Sequence, residues 1–185
     1  GVTDFEAIDM TGSTDLSASA PAADSEPPTA RELRHAFAGF ATGITVVAAL
    51  VDGRPTGMPA NSFNSISLDP PLAALSFART STTWPLLRHA PQWGISVLGE
   101  HHKADLARLS RPAAERFDGV SWVANHGAVF LEHATTTFRV GVAAEVDAGD
   151  HVLTLLRIHA LRRSTDDGPL IFYDNRLHGL RPRQS

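Results

Sequence analysis

A mainly β (α+β) domain is what this chain predicts: a barrel of short strands with a few small helices set around it. Three observations carry that expectation. Apolar, β-branched runs of strand length recur along the chain, turn residues separate them at short intervals, and few segments show helical spacing. With 185 residues, 43% of them hydrophobic, there is material for one core and not for two full domains.

The opening helix is signalled by Thr29–Glu32, which has the Ser/Thr-x-x-Glu spacing of a capping box, and by Leu33, Ala36, Phe37 and Phe40 at helical spacing. Gly43 ends that pattern. Ile44–Val51 is apolar and β-branched, and Asp52-Gly53 supplies a hairpin turn before the next extended segment. Leu72–Ala78 and Trp93–Leu98 read as buried strands. Between them Thr82 and Thr83 offer a cap and Pro85 an early proline for a short helix through Leu86 and Leu87. A further helix is expected over His102–Ser110. Longer extended segments follow at Thr135–Val146, His151–Arg163 and Leu170–Tyr173, parted by turn residues at 148–150 and 166–169.

Residues 1–28 are rich in Ser, Ala, Asp, Thr and Pro, have no periodicity, and bury too little apolar surface to offset ordering. The expectation is a disordered acidic tail over 1–28 and one folded domain over 29–182. The first thirty residues hold six acids and no Lys or Arg; without them the formal charge moves from −4 to +2. That remainder gives no nucleic-acid footprint and does not repel an anionic ligand.

Several chemistries are excluded. The chain has no cysteine, so disulfides, thiolate nucleophiles and zinc-cysteine clusters are out, and a reducing cytoplasm suits it. The nine histidines show no metal-ligand spacing, and His101 and His102 are expected to diverge on a helix, so no metal is expected. No Gly-x-Ser-x-Gly elbow or Gly-x-Gly-x-x-Gly fingerprint occurs. The longest apolar run, Ile44–Val51, is too short to cross a bilayer.

The densest chemical signal is Gly57–Pro71 (GMPANSFNSISLDPP), where a strand-like pattern meets small hydroxyl and amide side chains. Neutral donors beside accessible backbone suit a flat, hydrogen-bonding, phosphorylated ligand; the plain alternative is an edge strand whose Ser and Asn satisfy their own backbone. Ser76–Thr83 (SFARTSTT) joins a strand to a helix start, where free amides and Arg79 favour an anion. An ordinary helix cap with a surface arginine is the other reading.

Phe40–Val47 (FATGITVV), Ala60–Leu72 (ANSFNSISLDPPL), Glu115–Asp118 (ERFD), Gly149–His151 (GDH) and Pro169–Tyr173 (PLIFY) together resemble the short-chain flavin reductases. These are the NAD(P)H-dependent partners of two-component flavin monooxygenases, and the similarity runs from about Leu33 to Leu180. The resemblance implies an FMN-binding type of split β-barrel, a homodimer with flavin near the subunit interface, and reduced FAD or FMN passed to a separate monooxygenase, with NADH or NADPH as donor. On that resemblance the flavin contacts are Ala60, Asn61, Ser62, Ser65, Ile66, Ser67, Ala78, Arg79, Ser81, Thr82, Phe117 and Tyr173. His151 is the residue expected beside the nicotinamide, packing and hydrogen bonding rather than acting as a base. Arg116 reads as a surface ion-pair partner. His178 stands where the family often carries an aromatic. Two rival readings remain open: a self-contained flavoenzyme reducing an organic substrate, and a flavin-binding module that never turns over.

Overall fold

The computed structural model describes residues 21, 26–164 and 167–180. The expected tail over 1–28 falls largely outside these residues. The chain divides into two compact units, Gly1–His35 and Ala36–Ser185, and the second holds every strand described below.

Helix α1 (Ala30–Ala38) starts where the capping box placed it. The Thr29 amide donates to Glu32 Oε2 at 2.7 Å and the Glu32 amide donates to Thr29 Oγ1 at 3.2 Å, so two orphan donors are satisfied reciprocally. The bonds accepted from the Thr29 amide and, second, from the Thr29 hydroxyl hold the Glu32 carboxyl below its ordinary range. The helical spacing of Leu33, Phe37 and Phe40 does not translate into burial, for Phe37 is 70% and Phe40 71% exposed.

Strand β1 (Thr42–Gly43) leads into β2 (Thr45–Val51), which turns through Asp52 and Gly53 into β3 (Arg54–Ala60). Both turn residues have positive φ, 49° and 75°, the mirror-image turn whose twist matches a two-residue hairpin. β4 (Asn64–Leu68), β5 (Pro71–Ala78), the one-turn α2 (Trp84–Leu87) and β6 (Trp93–Val97) follow. Thr83 stands at the N-cap of α2, but the side-chain bonds come from Ser81, whose Oγ accepts from the amides of Thr83 and Trp84, 3.2 and 3.1 Å away. A 3-10 turn at Glu100–His102 runs into α3 (Lys103–Leu109).

The chain continues through β7 (Trp122–Asn125), β8 (Ala128–Leu131), the long hairpin of β9 (Thr136–Ala148) and β10 (His151–Arg163), and the short β11 (Ile171–Tyr173) and β12 (Arg176–His178). The main sheet has the order β4-β5-β10-β9-β6-β2-β8-β7 with β3 on β2, and it does not close; β1, β11 and β12 form a second small sheet. This is the split-barrel architecture that the sequence led one to expect. The hairpin β7–β8, its turn at His126 and Gly127, was not foreseen, because its strands are only four residues each.

Residues Thr45 to Ala49 of β2 are all buried, since the strand is covered on both faces and reads as a continuous apolar run. One face meets Leu75, Phe77, Trp84, Leu87, Trp93 and Leu156; the other meets Leu98, Leu109, Val129 and Leu170. In the first cluster Phe77 stacks on Trp84 at 4.7 Å and Trp93 stands edge-on to both.

The expected divergence of His101 and His102 does not occur; their ring centroids are 3.9 Å apart. Adjacent carbonyls draw them together, His101 Nε2 lying 2.8 Å from His133 O and His102 Nε2 donating to Glu132 O at 3.0 Å. His102 Nδ1 accepts the Gly99 amide at 3.1 Å, so the buried ring is neutral with its proton on Nε2. Burial, more than its neighbours, holds this imidazole below its ordinary value of 6.5. The unfolded chain therefore takes up a proton that the folded chain resists, and stability is expected to fall as pH drops below about 6.5 until the folded value is passed. Urea midpoints at about pH 7.5 and 5.5 measure the slope, which His102→Gln should flatten; equal slopes in both proteins would remove His102 as its source.

Candidate functional site

Register places most of the sequence-selected residues along one line of the barrel. β4 and β5 run antiparallel with Asn64 opposite Ala74, and β5 runs antiparallel to β10 with Ala78 opposite His151. Ser62 sits at the entry to β4, and its hydroxyl both donates to Ser76 O and accepts the Ser76 amide, each at 3.2 Å. That side chain ties the β3–β4 connection to β5 and has little capacity left for a ligand.

At one end of the line, Ala60 closes β3 and its carbonyl accepts from Thr45 Oγ1 at 2.9 Å. Asn61 is exposed and borders two concavities. One, of about 470 Å³, is lined by Gly43, Thr45, Asn61, Phe63, Phe138 and Arg163 among others. A smaller one of about 260 Å³ lies between Ala60, Asn61, Leu106, Phe172 and Leu177. The hydroxyl of Thr42, one residue before Gly43, is buried without a hydrogen-bond partner. Sequence reading passed over Thr42, although it lies inside the FATGITVV segment; nothing in a single Thr announces that its hydroxyl will be left unpaired.

At the other end, the β5–α2 bend is held against the β9–β10 turn. The Arg79 amide donates to Asp150 O at 2.9 Å, its Nε to Gly149 O at 3.0 Å and its Nη2 to Asp147 Oδ1 at 2.6 Å. Gly149 has φ of 61°, which suits a residue without Cβ. His151 opens β10 with Nδ1 2.7 Å from Asp150 Oδ1, and its side chain is 44% exposed. Ser81 also donates to Met58 Sδ at 3.8 Å, linking the bend to β3; Thr82 is exposed.

The remaining residues are set apart. Ser65, Ile66 and Ser67 lie on β4 opposite Ala73 and Leu72, with a bulge between Ser65 and Ser67 that leaves Ile66 52% exposed. Five strand residues, roughly 17 Å, separate Ala73 from Ala78. Phe117 packs on the second core cluster, as Leu106 and Phe172 also do. Tyr173 ends β11, its carbonyl 3.1 Å from His178 Nε2 and its ring 5.9 Å from the His178 ring.

Arg116 is not the surface ion-pair partner its sequence context suggested. Half-buried, it donates to the Arg111 and Gly57 carbonyls and to Thr83 Oγ1, at 3.1, 3.0 and 2.9 Å. The loop carrying ERFD is thereby fastened to β3 and to the start of α2. Another concavity, about 510 Å³ around Glu132, His133, Arg162 and Asp167, takes in none of the sequence-selected residues.

Residues 37–181 match the model of the flavin reductase like domain family. A probable flavin reductase of Rhizobium meliloti (strain 1021) is 37% identical over 140 residues, covering 75% of this chain and 45% of that protein, so the chain spans about half the relative's length. The Streptomyces globisporus C-1027 NADH:FAD oxidoreductase SgcE6, in complex with NAD and FAD fragments, superimposes with a TM-score of 0.80 at 28% identity over 88% of this chain and 100% of that one. BorF, the flavin reductase component of a bacterial two-component tryptophan halogenase, gives 0.76 at 31% identity over 84% of this chain and 100% of its own.

Proposed function

Because this chain belongs to the flavin reductase like domain family, we propose that it is an NAD(P)H:flavin oxidoreductase, the reductase of a two-component system that passes reduced FAD or FMN to a separate monooxygenase. The observation that carries the reading is one line of chain with a cleft at one end and an arginine-bearing bend at the other. The exposed Asn61 amide at the cleft offers donors and an acceptor for a polar ring edge, and Arg79 lies at the bend. A flat heteroaromatic ring with a phosphate tail fits that donor set.

Flavin supplies the hydride-accepting chemistry when bound. The chain's part is to hold and orient. Phe63 and Phe138, 5.5 Å apart, wall the cleft against water, Asn61 meets polar ring atoms, and Arg79 pairs with phosphate oxygen. His151 is set by Asp150 beside the nicotinamide, with a packing and hydrogen-bonding role. Among the described residues no group of His, Asp or Glu is arranged to hold a metal ion, and no helix is long and apolar enough to cross a membrane. A cytoplasmic site follows from the need for a reduced nicotinamide pool.

NADH is the favoured donor, on the relative's description as an NADH:FAD oxidoreductase. Anaerobic mixing with NADH and a many-fold excess of FMN or FAD is expected to bleach all the flavin; no bleaching favours a binding module, and bleaching limited to one flavin per chain favours a self-contained flavoenzyme. In the same assay His151→Ala should raise KM for NADH or lower turnover about tenfold, the weight of one hydrogen bond, and unchanged kinetics would remove His151 from the site.

We also read the chain as a homodimer. Val142 and Val146 on β9, and Ile66 and Leu68 on β4 two intervening strands away, are exposed apolar residues of the main sheet, the kind of surface a second copy covers. Sedimentation at twice 19.8 kDa is the expected result; a monomer at micromolar concentration would overturn it.

A further inference from the structure

We infer that Asp147 is a built-in competitor for the phosphate of the flavin, lowering its affinity so that the flavin exchanges freely. The inference rests on the reading of Arg79 as phosphate anchor. Arg79 and Asp147 are 68 residues apart in sequence yet form a 2.6 Å ion pair. With Nε given to Gly149 O, the whole Nε–Nη2 edge of the guanidinium is engaged by the β9–β10 hairpin. That edge is one of those suited to bidentate phosphate recognition. An incoming phosphate must displace the carboxylate or accept a cation whose charge is already balanced.

The pair is built to yield. Its side chains are 46% and 89% exposed, so water screens the attraction and the link is weak. Asp150, whose carboxylate lies against His151, adds a second acidic side chain close by. The neighbouring pair on the same strand provides an internal control: Glu145, two residues before Asp147 and on the same face of β9, holds Arg88 at 3.0 Å, beyond the bend and on the far side of α2. Both acids tether the 79–88 segment, but only one engages the arginine assigned to the ligand. A tightly held prosthetic flavin would call for an unpaired Arg79; a flavin that must leave for another enzyme calls for an occupied one.

The test is the FMN dissociation constant of the full chain, with riboflavin as the probe that lacks phosphate. Asp147→Asn keeps an oxygen acceptor for Arg79 and removes the charge, so the fold is retained. Its FMN dissociation constant is expected to fall about three- to fivefold, with riboflavin affinity unchanged. Glu145→Gln should leave both constants as they are, and Asp147→Asn should have no effect in an Arg79→Ala background. If Arg79→Ala weakens FMN but Asp147→Asn leaves it unchanged or weaker, the competition is wrong while the phosphate anchor stands. Should Arg79→Ala itself leave FMN binding untouched, the anchor assignment fails. Equal tightening of FMN and riboflavin would also overturn the inference, because the effect would not act through phosphate.

Discussion

Trp93→Ala is expected to destabilise the domain by about 3–5 kcal/mol, a large share of the roughly 5–15 kcal/mol available to a domain of this kind. Trp93 is fully buried and is the largest side chain so enclosed. It stands edge-on to Phe77 and Trp84, 5.6 and 5.8 Å from their centroids, and removing it opens a cavity between β5, β6 and α2 that neighbouring strands are too constrained to fill. Its indole also donates to Leu87 O at 2.8 Å, but that carbonyl accepts the Ala90 amide at 2.9 Å as well. Trp93→Phe should therefore cost clearly less, about 1–2 kcal/mol. Urea unfolding of the three proteins measures the order; equal losses for Ala and Phe would show that the hydrogen bond and not the packing matters.

Arg79→Ala is expected to raise the FMN dissociation constant about ten- to a hundredfold, the weight of a charge-assisted contact to phosphate. The loss is that of the cation at the bend, since Asp147 acts on the ligand through its pair with Arg79. Fold damage is not a competing explanation, because the exposed pair contributes about 1 kcal/mol or less and the Arg79 amide keeps its bond to Asp150 O. Arg79→Lys should fall between, retaining charge without the planar fork. Titration by flavin fluorescence quenching reads all three proteins, and an FMN affinity for Arg79→Ala within twofold of the parent would remove the anchor.

Much of the architecture was readable along the chain. The capping box at Thr29 and Glu32, the turn at Asp52 and Gly53, and the limits of β10 at His151 and Arg163 are local matters. Each depends on backbone conformations within a few residues, and those preferences are carried by the side chains themselves. Less was readable where a residue's role depends on a distant partner. Arg116 looks like any surface arginine until the loop carrying it meets Gly57, 59 residues away. Ser62 looks like a free hydroxyl until β4 is laid on β5, and at the start of α2 it is Ser81, not Thr82 or Thr83, whose oxygen the bend turns onto the amides of Thr83 and Trp84.

From sequence alone came the strand-rich class, the positions of the principal strands, and the five motif segments whose order marks the family. Tertiary structure alone decided that Phe37 and Phe40 stay uncovered, that Thr42 keeps a buried hydroxyl unpaired, and that Asp147 reaches Arg79 across the hairpin turn. The physical reason is that strand formation is written in periods of two and turns in single residues, whereas which side chains meet is fixed by inter-strand register, a property of pairs of segments that neither segment encodes on its own.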